Sequence, residues 1–306
     1  MSLRYGVSPA FFISQCGTQF SPADICASLP VIRELGFTDF QPEIYTAESL
    51  EDWRGGGAAE VVRTAAEQGI RATVFVAHFL MEHFASAAAL ASEADLPLLD
   101  RALDIAGAFP DGRVFSVPMA PFQLGAATGS NDVEALLEAK VRMYLDRVTR
   151  AGFSLSFELL PGNVLGSFDG FLRLASAIGS PRFGVLLDTG HAWAMREAVE
   201  LLPLRLAGRV FGVHLKDNDG TANLLLVPGA GRLNWQLLLN NLLASGYAGS
   251  LDLEIGCPPG RVRTEYAGGL HFLKSLHQHS ISAHGHAQTV THHLVRQPHD
   301  GPVSHL

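Results

Sequence analysis

The sequence predicts an α/β fold, a single-domain (β/α)8 TIM barrel followed by a mobile C-terminal tail. Eight short β-rich runs alternate with helical stretches along the chain. Several runs are apolar without alternation, as expected when both faces of a parallel sheet are covered. The 306-residue chain is long enough for such a barrel, which typically needs about 250 residues.

The eight predicted strands are runs rich in β-branched and aromatic residues, and glycine and proline residues separate these runs from the neighbouring segments. In chain order they are Arg4–Val7, Phe37–Gln41, Ala72–Ala77, Val114–Val117, Ser154–Phe157, Phe183–Leu187, Val210–Val213 and Ser250–Leu253. A doubly wound open sheet is the alternative arrangement of alternating strands and helices. No Gly-x-Gly-x-x-Gly follows the first strand, where the dinucleotide-binding version would place it.

Helices are predicted between the strands because capping signals mark their ends. Ser21 is a suitable N-cap before Pro22 at the first helical position, and a glycine follows the end of most periodic stretches. The predicted helices are Pro22–Leu35, Ala58–Gln68, Pro97–Ala108, Asn131–Ala151, Phe168–Ile178 and Asn234–Ser245.

The amino-acid composition of the chain changes near residue 277. Residues 277–306 contain two charged residues, Arg296 and Asp300, and nine of the 13 histidines lie within the last 36 residues. No sustained hydrophobic period runs through this segment. We therefore predict a barrel over residues 1–276 and a His-rich, disordered tail over residues 277–306.

The composition narrows the class of protein. With 47% hydrophobic and 17% charged residues, the chain has enough apolar surface to fold. A formal charge of −8 argues against a nucleic-acid partner, which requires basic surface. The absence of an 18-residue apolar run and of a signal-like start argues against a membrane partner and secretion. Three cysteines without metal-site spacing fit a reduced compartment, so we expect a cytoplasmic protein.

Four successive predicted strands end in a residue that can bind a metal ion. They end in Leu155-Ser-Phe-Glu158, Val185-Leu-Leu-Asp188, Phe211-Gly-Val-His214 and Leu251-Asp-Leu-Glu254. The active site of a TIM barrel lies at these strand ends, and ionisable groups beside a core are costly unless they bind something. The mixed oxygen and nitrogen set therefore predicts a site for a divalent cation such as Mn²⁺, Mg²⁺, Co²⁺ or Zn²⁺.

Several motifs resemble the sugar phosphate isomerase/epimerase family, a group of xylose isomerase-like TIM barrels. They are Phe157-Glu-Leu-Leu-Pro, Leu187-Asp-Thr-Gly-His191, Val213-His-Leu-Lys-Asp217, Pro228-Gly-Ala-Gly231 and Leu253-Glu254. The resemblance covers roughly residues 1–276 and is strongest over 153–256. It implies that Glu158, Asp188, His214 and Glu254 are the metal ligands. It also implies substrate contacts for His191, Lys216, His78 and Glu43. Arg232 departs from the family pattern, which often has an acidic residue there, and its positive charge would suit a phosphate or carboxylate of the substrate. Each of these residues has an ordinary core or loop role as the alternative.

The resemblance implies a metal-dependent isomerase or epimerase that acts on a small sugar or keto acid through an ene-diolate. Glu158 and Glu254 are the candidate base and acid. Groups on opposite faces of the substrate would give epimerisation, and one group on a single face would give isomerisation. Loss of a β-hydroxyl from the same intermediate would make the protein an inosose-type dehydratase. A homo-oligomer is also expected by analogy, because relatives are often dimers or tetramers.

Two further alternatives are disfavoured by the sequence. An endonuclease IV-like hydrolase would need additional histidines, but the fourth strand ends in Ser116-Val-Pro-Met-Ala-Pro121. A barrel that binds a metal or ligand without turnover should have lost at least one of the four ligands, and all four are present.

Overall fold

The strands of the computed structural model, which describes residues 3–125, 130–220 and 222–276, pair in parallel throughout. They are β1 (Tyr5–Val7), β2 (Asp39–Phe40), β3 (Glu43–Ile44), β4 (Arg71–Ala72), β5 (Val74–Ala77), β6 (Val114–Met119), β7 (Ser154–Leu159), β8 (Phe183–Asp188), β9 (Val210–His214) and β10 (Leu251–Leu253). One sheet has the order β10-β1-β2-β4, and the other has the order β3-β5-β6-β7-β8-β9.

The two sheets are parts of one eight-membered barrel. β2 and β3 are the halves of the second barrel strand, which is interrupted at Gln41 and Pro42, and β4 and β5 are the halves of the third, which is interrupted at Thr73. Proline has no N–H to donate, which explains the first interruption. On the other side, the Leu215 N–H donates to the Asp252 carbonyl at 2.8 Å and joins β9 to β10. The predicted parallel barrel is therefore confirmed.

The α-helices lie between the strands along the chain. They are α1 (Ala10–Cys16), α2 (Pro22–Leu35), α3 (Leu50–Asp52), α4 (Ala58–Gln68), α5 (Ala87–Ala91), α6 (Leu96–Ala106), α7 (Ser130–Arg150), α8 (Phe168–Ile178), α9 (Thr189–Ala194), α10 (Leu202–Arg205) and α11 (Trp235–Ala244), followed by a helix over residues 262–276. The predicted bounds of α2, α4 and α8 agree with these, and those of α6, α7 and α11 shift by one or two residues.

Local capping explains why α2 was predictable. The Asp24 N–H donates to the Ser21 hydroxyl, and the Ser21 N–H donates back to the Asp24 carboxylate at 2.8 Å. Gly36 ends the helix with a φ of 94°, a conformation that favours glycine. The short helices α1 and α9 were not predicted. Helix α9 follows β8 without any intervening loop, so no turn signal separates the two elements in the sequence.

The space between barrel and helices is filled mainly by aromatic and aliphatic side chains. Phe75 contacts Trp53, Phe109 and Phe115, with ring centroids 5.7 to 6.1 Å apart. Within the described ranges, no helix has both the length and the apolar character needed to cross a membrane. The tail predicted over residues 277–306 lies outside the residues that the structure describes.

Candidate metal centre

Four strands bring the predicted ligands to one end of the barrel. Glu158 lies in β7, Asp188 ends β8, His214 ends β9, and Glu254 directly follows β10. One ligand atom from each residue lies within 4.8 Å of the others, and Asp188 pairs with His214 in the strand register. A cavity of about 140 Å³ opens beside the cluster and is lined by Glu158, His214 and Glu254. The structure thus brings the four predicted ligands together.

The Asp-Thr-Gly-His motif places Asp188 in the cluster. One carboxylate oxygen, Oδ1, accepts from the His191 N–H at 2.7 Å and caps α9, which leaves Oδ2 to face the site. The Thr189 hydroxyl donates to the Lys216 carbonyl at 2.7 Å and so ties α9 to the end of β9. At Gly190 a Cβ would lie 2.4 Å from the Lys216 Cε. Glycine therefore makes room for the lysine.

Lys216 is a buried counter-ion of the cluster. Its ammonium lies 2.7 Å from Asp188 Oδ2 and 2.7 Å from Glu254 Oε2, and its side chain is 1% exposed. Burial alone would lower the pKa of Lys216, but the carboxylates of Asp188 and Glu254 raise it. Lys216 therefore stays charged at neutral pH.

His214 turns one ring nitrogen toward the carboxylates. Its Nδ1 lies 3.1 Å from Glu158 Oε1 and 3.4 Å from Glu254 Oε2. Burial lowers the pKa of His214, but the surrounding carboxylates outweigh it and raise the pKa to about 10. The charges of Glu254 and Glu158 contribute most to this increase.

The donor set and its charge fit a divalent cation. Burial raises the pKa of Glu254 to about 8, against the opposing effects of His214 and Lys216. Burial also acts to raise the pKa of Asp188, but His191 and Lys216 hold it well below its ordinary value. Glu158 brings a third carboxylate to the cluster. These three carboxyl groups and the imidazole of His214 form the mixed oxygen and nitrogen donor set that a divalent cation binds.

The cavity is also lined by groups that suit a polar ligand. Glu43 is 3% exposed, and its Oε2 has no hydrogen-bond partner among the described residues. Burial raises the pKa of Glu43 well above its ordinary value, and the nearby Glu158 adds to this effect. His78 stacks on Tyr45 with ring centroids 4.1 Å apart. His191 lies 3.8 Å from Glu158 through Nε2, and burial lowers its pKa. All four residues line the cavity.

Arg232 is placed differently from the other predicted substrate contacts. It is exposed and is absent from the cavity wall, while its backbone N–H donates to the Asn218 carbonyl at 2.8 Å. The loop that carries it is held by Asp217, which accepts hydrogen bonds from Gly229 N–H at 2.9 Å and Trp235 Nε1–H at 2.7 Å. The structure therefore shows a loop-anchoring role for Asp217.

Sequence reasoning missed Gln41 and Asp252, which lie behind His214. The Gln41 Oε1 is 2.9 Å from His214 Nε2, and its Nε2 donates to Asp252 Oδ2 at 2.6 Å. Burial raises the pKa of Asp252 to about 6. The alternation of side chains along a strand could have indicated them. Gln41 and Asp252 stand two residues before the inward-facing Glu43 and Glu254, and residues two apart in a strand face the same side.

A family model described as xylose isomerase-like TIM barrel matches residues 29–276. The chain therefore belongs to that family, which confirms the resemblance seen in the motifs. The chain matches two curated relatives over only 37% and 41% of their own lengths. One of them is the rhizopine catabolism protein MocC of Rhizobium meliloti, which is 28% identical over 133 residues, a match that covers 38% of this chain.

Solved structures with little sequence identity share the fold. The 3-keto-D-glucoside 4-epimerase YcjR from E. coli superposes with a TM-score of 0.69 at 17% identity, over 90% of this chain and 100% of that one. The IolI protein with a bound zinc atom superposes with a TM-score of 0.68 at 12% identity, over 92% of this chain and 99% of that one. Identities this low establish the barrel architecture alone.

Proposed function

We propose that this protein is a divalent-metal-dependent isomerase or epimerase of a small sugar or keto-sugar. The observation that carries the proposal is the convergence of Glu158, Asp188, His214 and Glu254 within 4.8 Å beside a polar cavity. A zinc atom is bound in the IolI structure, which shares the barrel, and YcjR is a sugar epimerase. Both facts support the proposal by analogy.

The cavity limits the class of substrate. Its volume of about 140 Å³ is well below the roughly 300–1,000 Å³ of pockets for drug-sized ligands. Carboxyl and imidazole groups from Glu43, His78 and His191 line it. A small substrate rich in hydroxyl and carbonyl oxygens fits both the volume and the lining, and this describes a sugar, a keto-sugar or a short keto acid.

A bound divalent ion would polarise the substrate carbonyl and acidify the adjacent C–H. Glu158, Asp188, His214 and Glu254 would hold it. Glu158 and Glu254 both line the cavity, and their carboxylate oxygens lie 3.1 and 3.4 Å from His214 Nδ1. One of the two carboxylates removes the proton from the acidified carbon, and the other returns a proton to the substrate.

Other residues of the cavity wall orient the substrate. Burial raises the pKa of Glu43 and so favours the form of its carboxyl that donates a hydrogen bond to a substrate oxygen. The neutral His191 ring contributes a second polar group close to Glu158. These groups fix how the substrate lies relative to the two carboxylates. Proton transfer on opposite faces then gives epimerisation, and proton transfer on one face gives isomerisation.

The dehydratase alternative gains support from Glu43. Loss of a hydroxyl from the substrate requires a proton donor, and Glu43, a buried carboxyl of the cavity wall whose pKa burial raises, is the candidate for that role. The two reactions are separated by their products.

The experiment is an incubation of metal-loaded protein with ketoses, hydroxypyruvate and inososes, followed by product analysis. Epimers or isomers support the proposal, and a product that has lost water assigns the dehydratase. Metal-loaded protein that releases no product from any member of the panel contradicts the enzymatic assignment and leaves a binding protein.

A further inference from the structure

Three buried polar side chains form a hydrogen-bonded line that ends at His214 of the candidate metal centre. Asp252 is 1% exposed, Gln41 is 0% exposed and His214 is 2% exposed. The Gln41 amide nitrogen donates to Asp252 Oδ2 at 2.6 Å, and the Gln41 carbonyl oxygen lies 2.9 Å from His214 Nε2. The line crosses the barrel interior, from β10 through the interruption after β2 to the end of β9.

The backbone makes room for this arrangement. Gly6 of β1 pairs with Asp252 in register, and a Cβ at Gly6 would lie 2.0 Å from Asp252 Oδ1. No side chain larger than hydrogen fits there while Asp252 keeps its position. Packing therefore holds the aspartate against Gln41.

The chemistry of the three groups fixes the direction of both hydrogen bonds. The Gln41 amide donates through Nε2 to Asp252 Oδ2 at 2.6 Å, where the aspartate oxygen accepts. The amide oxygen of Gln41 then faces His214 Nε2, and an amide oxygen can only accept. The proton between them must belong to His214 Nε2. The other ring nitrogen, Nδ1, is directed at Glu158 and Glu254.

We propose that Asp252 and Gln41 are positioning residues that keep the N–H of His214 on Nε2 and aim the lone pair of Nδ1 at the metal ion. This inference rests on the metal-binding part of the proposed function. Outer partners of this kind typically change metal affinity 10- to 100-fold when they are removed.

The direct test is the protonation pattern of His214 in ¹⁵N-labelled, zinc-loaded wild-type protein. We expect nuclear magnetic resonance to show a proton on Nε2 and a metal-bound Nδ1, with assignment by comparison with His214→Gln. A zinc-bound Nε2 would overturn the proposal. This measurement needs no variant of Gln41 or Asp252 to fold.

The second test compares variants by competition for zinc with a chromophoric chelator. Gln41→Met keeps a similar volume without an acceptor, and we expect about 10- to 100-fold weaker zinc binding. The double variant Gln41→Glu with Asp252→Asn moves the carboxylate next to His214 and the amide donor behind it, at unchanged net charge. It should bind zinc within about threefold of wild type if the acceptor at His214 is what matters.

Ser116→Ala is the matched control, because the Ser116 hydroxyl is buried without a hydrogen-bond partner among the described residues and should leave zinc affinity unchanged. If wild type binds zinc and Gln41→Met binds it equally well, the positioning role is refuted while the metal centre stands. If wild type binds no divalent ion, the metal centre itself is refuted.

Discussion

Replacing Asp188 separates its two roles, because its two carboxylate oxygens have different partners. Oδ1 caps α9 by accepting from the His191 N–H at 2.7 Å, and Oδ2 pairs with the Lys216 ammonium at 2.7 Å. Asp188→Asn keeps a capping oxygen but removes the charge, whereas Asp188→Ala removes both. Asparagine and aspartate are nearly equivalent caps.

The expected costs follow from these contacts. Breaking a buried ion pair costs about 3–5 kcal/mol, and we expect the lower end because Lys216 keeps Glu254 at 2.7 Å. Loss of the cap adds about 1 kcal/mol. In the metal-free protein, Asp188→Asn should therefore lower the free energy of unfolding by about 3 kcal/mol and Asp188→Ala by about 4 kcal/mol.

Urea unfolding after chelator treatment measures both stabilities, and elemental analysis measures the metal content of each purified protein. Both variants should lose bound metal, and the asparagine variant should do so while it still folds. A metal content equal to that of wild type in Asp188→Asn would refute the ligand role. Equal stabilities of the two variants would refute the capping role.

Three other outcomes are expected. Glu254→Gln should lower turnover by about 10²–10⁴-fold, and full activity would exclude Glu254 as acid or base. Gly190→Ala should destabilise the protein by about 1–3 kcal/mol, because its Cβ would meet Lys216 and Asn223 within 2.8 Å, whereas Gly260→Ala, with no atom within 4 Å, should not. In metal-free protein, Glu254 and His214 have pKa values raised from 4.5 and 6.5 to about 8 and about 10. The folded state therefore binds these protons more tightly, so the free energy of unfolding should fall as pH rises between about 5 and 10, and a rise would contradict these assignments.

The barrel and the convergence of its four candidate ligands could be predicted from the sequence. Parallel strands bring their carboxyl ends to one edge, so Glu158, Asp188, His214 and Glu254 must lie near one another once the strands are identified. The interruption of the second strand was harder to predict from the sequence, because Gln41-Pro42 follows an otherwise continuous β-rich run. The two halves of this strand, β2 and β3, pair with different sheets, and such pairing is decided only in the tertiary structure.

Contacts around the cluster depended on geometry that the sequence does not carry. The sequence predicts a substrate contact for Lys216, and the structure adds that its ammonium pairs with Asp188 and Glu254. Arg232 lies outside the cavity because the loop is folded back onto Asp217 and Asn218. Strand alternation indicates which residues face inward, and only the folded barrel decides which neighbour each one meets.

The most direct measurement of the central claim is the exchange of a substrate C–H proton with deuterated water. Metal-loaded wild-type protein should introduce deuterium beside the carbonyl of at least one ketose, inosose or keto acid, and removal of the metal by a chelator should stop the exchange. Protein that demonstrably holds its metal and exchanges no proton in any member of the panel would contradict the account.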